Sequence, residues 1–274
     1  MHRSVLLPLL LVSGSAFAWG DCEFTARRDA TLDLAGAKKL ALMTGAGDLR
    51  IVADASATKV TATGKACASS QALLDRIQLA TMTEGGVPTM KADMPEYEGS
   101  WLGNTYAWLD LEVRVPKTVA VALTDSSGDV EAEGLAALDA HDSSGDLKIR
   151  DTAGEVAVVD SSGDVVVRGA GSVHVRSDSS GDLVLESVTG DVLVDTDSSG
   201  DVDIEHVGGN AHVGNDSSGE IEFDDVKGSA IVDHDSSGSI SAEDIGGDFI
   251  VRADGSGGVS HHGVKGRVDV PDDD

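Results

Sequence analysis

The chain is poor in positive charge, with 20 Lys and Arg against 48 Asp and Glu in 274 residues and a formal net charge of -28. A surface of that sign repels phosphate backbones and anionic headgroups, which excludes nucleic acid and anionic membrane surfaces as partners. Aromatics make up only 3% of the chain, too few to line the deep groove of a polysaccharide-active enzyme. Two cysteines, Cys22 and Cys67, are too few for a disulfide framework or a cysteine-based metal cluster. Long apolar runs are missing as well. The longest, Val5 to Val12, falls far short of the roughly 18 residues that would span a bilayer.

That run follows Met1-His2-Arg3-Ser4 and precedes Ser13-Gly14-Ser15-Ala16-Phe17-Ala18, the layout of a secretory signal peptide over residues 1–18. The expectation is export to the periplasm or the extracellular space, without membrane insertion. Trp19-Gly20-Asp21 ahead of Cys22 lacks the lead-in of a lipoprotein signal. In an oxidising compartment the two cysteines are expected to pair, Cys22 with Cys67, contributing on the order of 3–4 kcal/mol by closing the loop between them.

What the chain does have is a phrase. Asp125-Ser126-Ser127-Gly128-Asp129 returns at Asp142, Asp160, Asp178, Asp197, Asp216 and Asp235, with a worn copy at Asp254, at spacings of 17 to 19 residues. A fixed period of this size belongs to a solenoid. After each Gly, an aliphatic column (Val130, Leu147, Val165, Leu183, Val202, Ile221, Ile240, Val259) and a second apolar column two residues later flank a position holding Glu131, Lys148, Asp203 or Glu222. That is a strand with one buried face. A second strand follows in each copy (Val156/Val158, Val173/Val175, Val192/Val194 and their successors), after a second Gly such as Gly154, Gly190 or Gly228. β-branched residues at period two and paired Gly argue against a helical repeat. The reading is an all-β protein: a parallel β-solenoid over residues 121–270, of about eight two-strand rungs, with an acidic tail at 271–274.

Residues 19–120 are less regular and read as an N-terminal cap with degenerate first rungs. Thr44-Gly45-Ala46-Gly47-Asp48-Leu49-Arg50-Ile51 echoes the repeat, and Ser69 to Leu79 reads as one short capped helix. Strands are expected at Trp108–Val115 and from Val119 to Leu123. Tyr97, Trp101, Tyr106 and Trp108 gather most of the aromatics of the exported chain, as core packing of the cap or as an interaction patch.

Two roles are open for the phrase. In the turn reading, the first Asp (Asp125, Asp142, Asp160 and so on) accepts local backbone N–H groups, which would lower its pKa, and Gly supplies a positive φ. In the ladder reading, Asp129, Asp146, Asp164, Asp182, Asp201 and Glu220 stack into a column of carboxylates whose repulsion would raise their pKa values and which could hold Ca²⁺. The eight His fall into no recurring pair on adjacent rungs.

The Gly-Asp-Val/Leu-x-Val/Ile strands, the Gly47-Asp48-Leu49 rung and the Arg114-Val115-Pro116 approach to the Ser-Ser-Gly-Asp rungs resemble the bacterial putative-adhesin family of β-strand repeat proteins, related to head domains of putative autotransporter adhesins. The resemblance covers residues 40–270. It implies a right-handed β-solenoid at the bacterial envelope with no catalytic residues to carry over. The functional expectation is a non-enzymatic, adhesin-like envelope scaffold that binds a protein or polysaccharide. No cofactor is expected apart from Ca²⁺ in the cation-binding alternative. A polysaccharide-active β-helix enzyme is the remaining alternative, against which the even spread of acids over the rungs counts.

Overall fold

A computed structural model describes residues 22–96 and 105–271. The signal segment, Tyr97, Trp101 and Asp272 to Asp274 lie outside the described residues. The N-terminal part comprises β1 (Phe24–Leu32), β2 (Lys39–Met43), β3 (Leu49–Asp54), β4 (Val60–Ala68), α1 (Gln71–Leu74), β5 (Gln78–Glu84), β6 (Val87–Asp93) and β7 (Ala107–Pro116). The repeat supplies β8 (Ala120–Thr124), β9 (Val130–Glu133), β10 (Leu138–His141), β11 (Leu147–Val159), β12 (Val165–Ser177), β13 (Leu183–Val188), β14 (Val192–Thr196) and β15 (Val202–Val207). It continues through β16 (Ala211–Asp216), β17 (Ile221–Val226), β18 (Ala230–Asp235), β19 (Ile240–Glu243), β20 (Phe249–Val251), β21 (Val259–His262) and β22 (Val268–Asp269).

These strands stack in parallel along two faces of a β-solenoid. One face runs β6, β2, β8, β10, the second half of β11 and of β12, then β14, β16, β18, β20 and β22. The other runs β7, β3, β9, the first halves of β11 and β12, then β13, β15, β17, β19 and β21. The echo at Thr44 to Ile51 is therefore a full rung, since β2 and β3 stack directly on β8 and β9. The outermost rung, β6 with β7, comes later in the chain than the rung beneath it. Antiparallel strands then close this end: β4 and β1 extend one face beyond β7, and β5 extends the other beyond β6. Switching from parallel to antiparallel pairing ends the solenoid where another rung would otherwise stack.

The inward columns pack as their period requires. Val130, Leu147, Val165, Leu183, Val202, Ile221 and Ile240 are each 0% exposed, as are Ile149, Val167, Leu185, Ile204 and Phe223. The last rung is the exception. Nothing among the described residues stacks on it, and Val268 is 36% exposed.

One local expectation needs correction. Only Gln71–Leu74 is helical, capped by the Ser70 hydroxyl accepting the Leu73 N–H, while Gln78 and Leu79 belong to β5. Pairing with β6 satisfies more backbone there than a lengthened helix would, and Leu74 and Ile77 already plug the core. At the second corner a positive φ falls three residues before the Gly, on Ser187 (φ 60), His206 (φ 55), Asp225 (φ 51) and Asp244 (φ 55). This left-handed corner turns Val188, Val207, Val226 and Ile245 inward as a third core column. Gly190 is needed because a Cβ there would lie 2.6 Å from the carbonyl oxygen of Gly171 in the rung below. The Gly of the phrase carries both constraints, as at Gly200, where φ is +130° and a Cβ would lie 1.8 Å from the Gly181 oxygen.

Candidate functional site

At the capped end, the outer faces of β1, β4 and β7 join those of β3 and β9 around a groove of about 1080 Å³, lined among others by Arg27, Arg50, Lys65, Trp108, Asp110 and Glu131. Trp108 is half-buried, and its ring lies 5.1 Å from that of Tyr106 at a 34° tilt. The Trp108 side chain hydrogen-bonds the Asp110 carboxylate, and the Tyr106 hydroxyl accepts the Glu23 N–H at 3.3 Å. Cys67 sits opposite Trp108 in the β4–β7 register and is bonded to Cys22, with Cα atoms 5.9 Å apart. The disulfide thus pins the start of β1 beside the aromatic pair. Of the four aromatics singled out in the sequence, the structure places Tyr106 and Trp108 together; Tyr97 and Trp101 lie outside the described residues.

A ladder of carboxylates starts in this groove and runs along the solenoid. Asp110 Oδ1 accepts the Asp48 N–H at 3.0 Å, and Asp48 Oδ1 lies 3.4 Å from the Asp129 nitrogen. The pattern continues through the fifth letter of each phrase: Asp129 accepts from Asp146 N–H, Asp146 from Asp164, Asp164 from Asp182, Asp182 from Asp201 and Asp201 from Glu220, at 2.9–3.3 Å. Each carboxylate therefore caps a backbone donor one rung further on. Asp146 is held below the ordinary carboxylate range, first by Lys148 at 3.0 Å and then by the Asp164 N–H. Asp110 is pushed up, mainly by desolvation.

The first letter behaves in the opposite way. Asp125, Asp142, Asp160, Asp178, Asp197, Asp216 and Asp235 are between 0% and 4% exposed and stack inside the coil. Backbone N–H donors do reach some of them, as Ser143 reaches Asp142 at 2.8 Å and Ser237 reaches Asp235 at 3.1 Å. Desolvation nevertheless outweighs these bonds. Burial raises all seven, Asp125 to about 6 and Asp160 to about 7, and neighbouring column carboxylates add to the rise at Asp125, Asp160 and Asp197. The turn reading assigned these groups lowered pKa values; burial reverses the sign. The first letter thus accepts local backbone N–H groups as the turn reading expects, and the fifth letter accepts one from the next rung.

A third feature had no signal in the repeat. On the outer face of β13, β15 and β17, Asp203 is surrounded by Glu205, Glu222, Glu186 and Asp224, and desolvation followed by these charges raises it to about 6. Beside it, ligand atoms of Glu186, Glu205 and His206 lie within 4.8 Å of one another, close enough for all three to reach one metal ion. Glu186 is also paired with Arg168 at 2.7 Å. Glu205 adjoins His206 in the chain, while Glu186 comes from the neighbouring rung, where the stacking register sets it against Glu205.

No family model matches the chain, and no curated protein matches it. Solved structures do. A putative cell adhesion protein from Clostridium sporogenes ATCC 15579 is similar at 10% identity and TM-score 0.34, over 90% of this chain and 99% of that one. The chain is similar to putative adhesins. One from Parabacteroides distasonis ATCC 8503 aligns at 12% identity and TM-score 0.44, over 86% of this chain and 97% of that one. A putative lipid binding protein from the same organism aligns at 15% identity and TM-score 0.46, over 90% and 97%. Identities of this order say nothing about a ligand.

Proposed function

We propose that this is an exported, non-enzymatic, adhesin-like scaffold of the cell envelope or surface that binds a polysaccharide or protein through the groove around Trp108. The observation that carries the reading is the joining, in one concave face, of an aromatic pair pinned by a disulfide with Arg27, Arg50, Lys65 and the first acids of the ladder. An aromatic ring beside hydrogen-bonding groups of both signs suits a sugar ring or a protein anchor. The acids of the groove are spent on structure, since Asp110 holds the Asp48 N–H. That arrangement does not resemble the acid and base pair of a glycosidase.

Envelope extract and its polysaccharide fraction passed over the immobilised chain test the proposal. Trp108→Ala is expected to weaken retention tenfold or more, and Trp108→Phe to keep most of it. Equal retention by Trp108→Ala would defeat the assignment of the groove. Release of sugar from the bound polymer would defeat the non-enzymatic reading. A second reading, divalent-cation binding, draws on the Glu186, Glu205 and His206 group and on the outer ladder of Asp129, Asp146, Asp164, Asp182, Asp201 and Glu220. A calcium-dependent rise in melting temperature is its test.

A further inference from the structure

The seven buried aspartates form one continuous file. Thr44 occupies the first position of the rung below Asp125, and its hydroxyl donates to Asp125 Oδ1, so the file begins on a neutral donor. At the far end the file reaches Asp254, bridged to Asp235. Between these ends, both carboxylate oxygens of Asp160, Asp178, Asp197 and Asp216 are buried with no hydrogen-bond partner. No Lys, Arg or His among the described residues forms an ion pair with a column carboxylate. The charged groups that do face the file are Asp129 toward Asp142, and His234 and Asp254 toward Asp235. His141, next to Asp142 in the chain, is instead engaged by Asp139 and Arg176.

A file of buried carboxylates one strand spacing apart, about 4.8 Å, has two ways to avoid full ionisation. A metal ion would need several oxygen ligands converging on one point. Among the described residues, three such side-chain atoms converge at Glu186, Glu205 and His206, on the outer face, and not in the file. A proton needs only one neighbour. Placed on one carboxyl, it makes that group a donor to the carboxylate above or below and satisfies two orphaned oxygens at once.

We infer that the aspartate file is a proton-sharing ladder, in which alternate carboxyls hold a proton at neutral pH and donate it to their neighbours on adjacent rungs. Asp160 and Asp197 stand in the donor positions, with their neighbours Asp142, Asp178 and Asp216 accepting, while Asp125 accepts the Thr44 hydroxyl at the end of the file. The direction of the shifts agrees, because burial raises every member of the file, Asp160 to about 7 and Asp197 to about 8. The folded chain then binds more protons than the unfolded one. Stability is lost as pH rises through about 6 to 8 and gained as pH falls from there toward the ordinary Asp value near 3.8.

Melting of the intact, disulfide-bonded chain in EDTA between pH 8 and 5 tests this, together with infrared detection of protonated carboxyl groups at pH 7. The expected results are a melting temperature that rises toward pH 5 and a carboxylic-acid band in the wild-type protein. Asp160→Asn with Asp197→Asn, which places permanent donors at two proton positions, is expected to raise the melting temperature at pH 8, flatten its pH dependence and shrink the band. A melting temperature that falls on acidification, or the absence of any protonated-carboxyl band, would overturn the ladder. Stability at pH 8 that collapses in EDTA and returns with Ca²⁺ would overturn it in favour of cations held in the file. The infrared measurement on the unaltered chain decides the matter even where the double variant does not fold.

Discussion

Asp160 and Asp164 stand four residues apart in the same phrase and do opposite work. Asp160 is 1% exposed inside the coil, while Asp164 lies outside and accepts the Asp182 N–H at 3.1 Å. The letters of the phrase are legible in the sequence, and so is its need for Gly. Which Asp points inward is not, because that depends on the path of the turn relative to the rung below. The same limit applies to Asp203, whose outward position on its strand was legible but three of whose four acidic neighbours, Glu186, Glu222 and Asp224, come from adjoining rungs. A carboxylate with a raised pKa weakens the fold at neutral pH, so Asp203→Asn should stabilise it. The expected gain is about 1 kcal/mol at pH 7.5, well below the full shift because solvent screens the outer face, and it should vanish by pH 4. Urea melts at the two pH values measure it, and a variant less stable than wild type at pH 7.5 would contradict the electrostatic account of this face.

Each rung is two strands joined at two corners, and the core is the set of apolar columns these corners align. Periodicity alone exposed the columns on both strands, and all but those of the last rung are buried. It did not expose the cap, because β1, β4 and β5 pair antiparallel with partners far away in the chain and carry no repeat of their own. Part of the variation in repeat length is absorbed where β11 meets β12, through register shifts between Thr152 and Glu155 and between Val158 and Val159. The inward phase of the second strand is open to direct test at Val192, which is 1% exposed. Val192→Asp puts an unpaired charge into a thin core and is expected to cost about 3 kcal/mol or more. Circular dichroism melts of this variant should show early loss of strand signal, and a melt equal to wild type would mean that the strand faces outward.

Across the whole molecule, the acids divide into three files: an outer ladder that caps backbone donors, an inner file of neutralised and ionised carboxyls, and an outer patch around Asp203. The net charge of -28 therefore overstates the negative charge that the folded chain carries if the inner file keeps protons. The groove sits at the capped end, where the two faces close and the ladder begins at Asp110, so the binding face proposed here is built from the least repetitive part of the chain. Its aromatics were legible as a cluster, and the disulfide followed from there being only two cysteines; the concavity was not, since it needs the antiparallel strands. The division of labour between the two Asp columns is what the rest of the account stands on. Carboxyl-carbon NMR titration of Asp160 and Asp146 in the folded chain tests it most directly. Asp160 is expected to titrate near 7 and Asp146 below 3.8. Asp160 titrating at or below 3.8 would contradict the burial of the first column and the proton ladder with it.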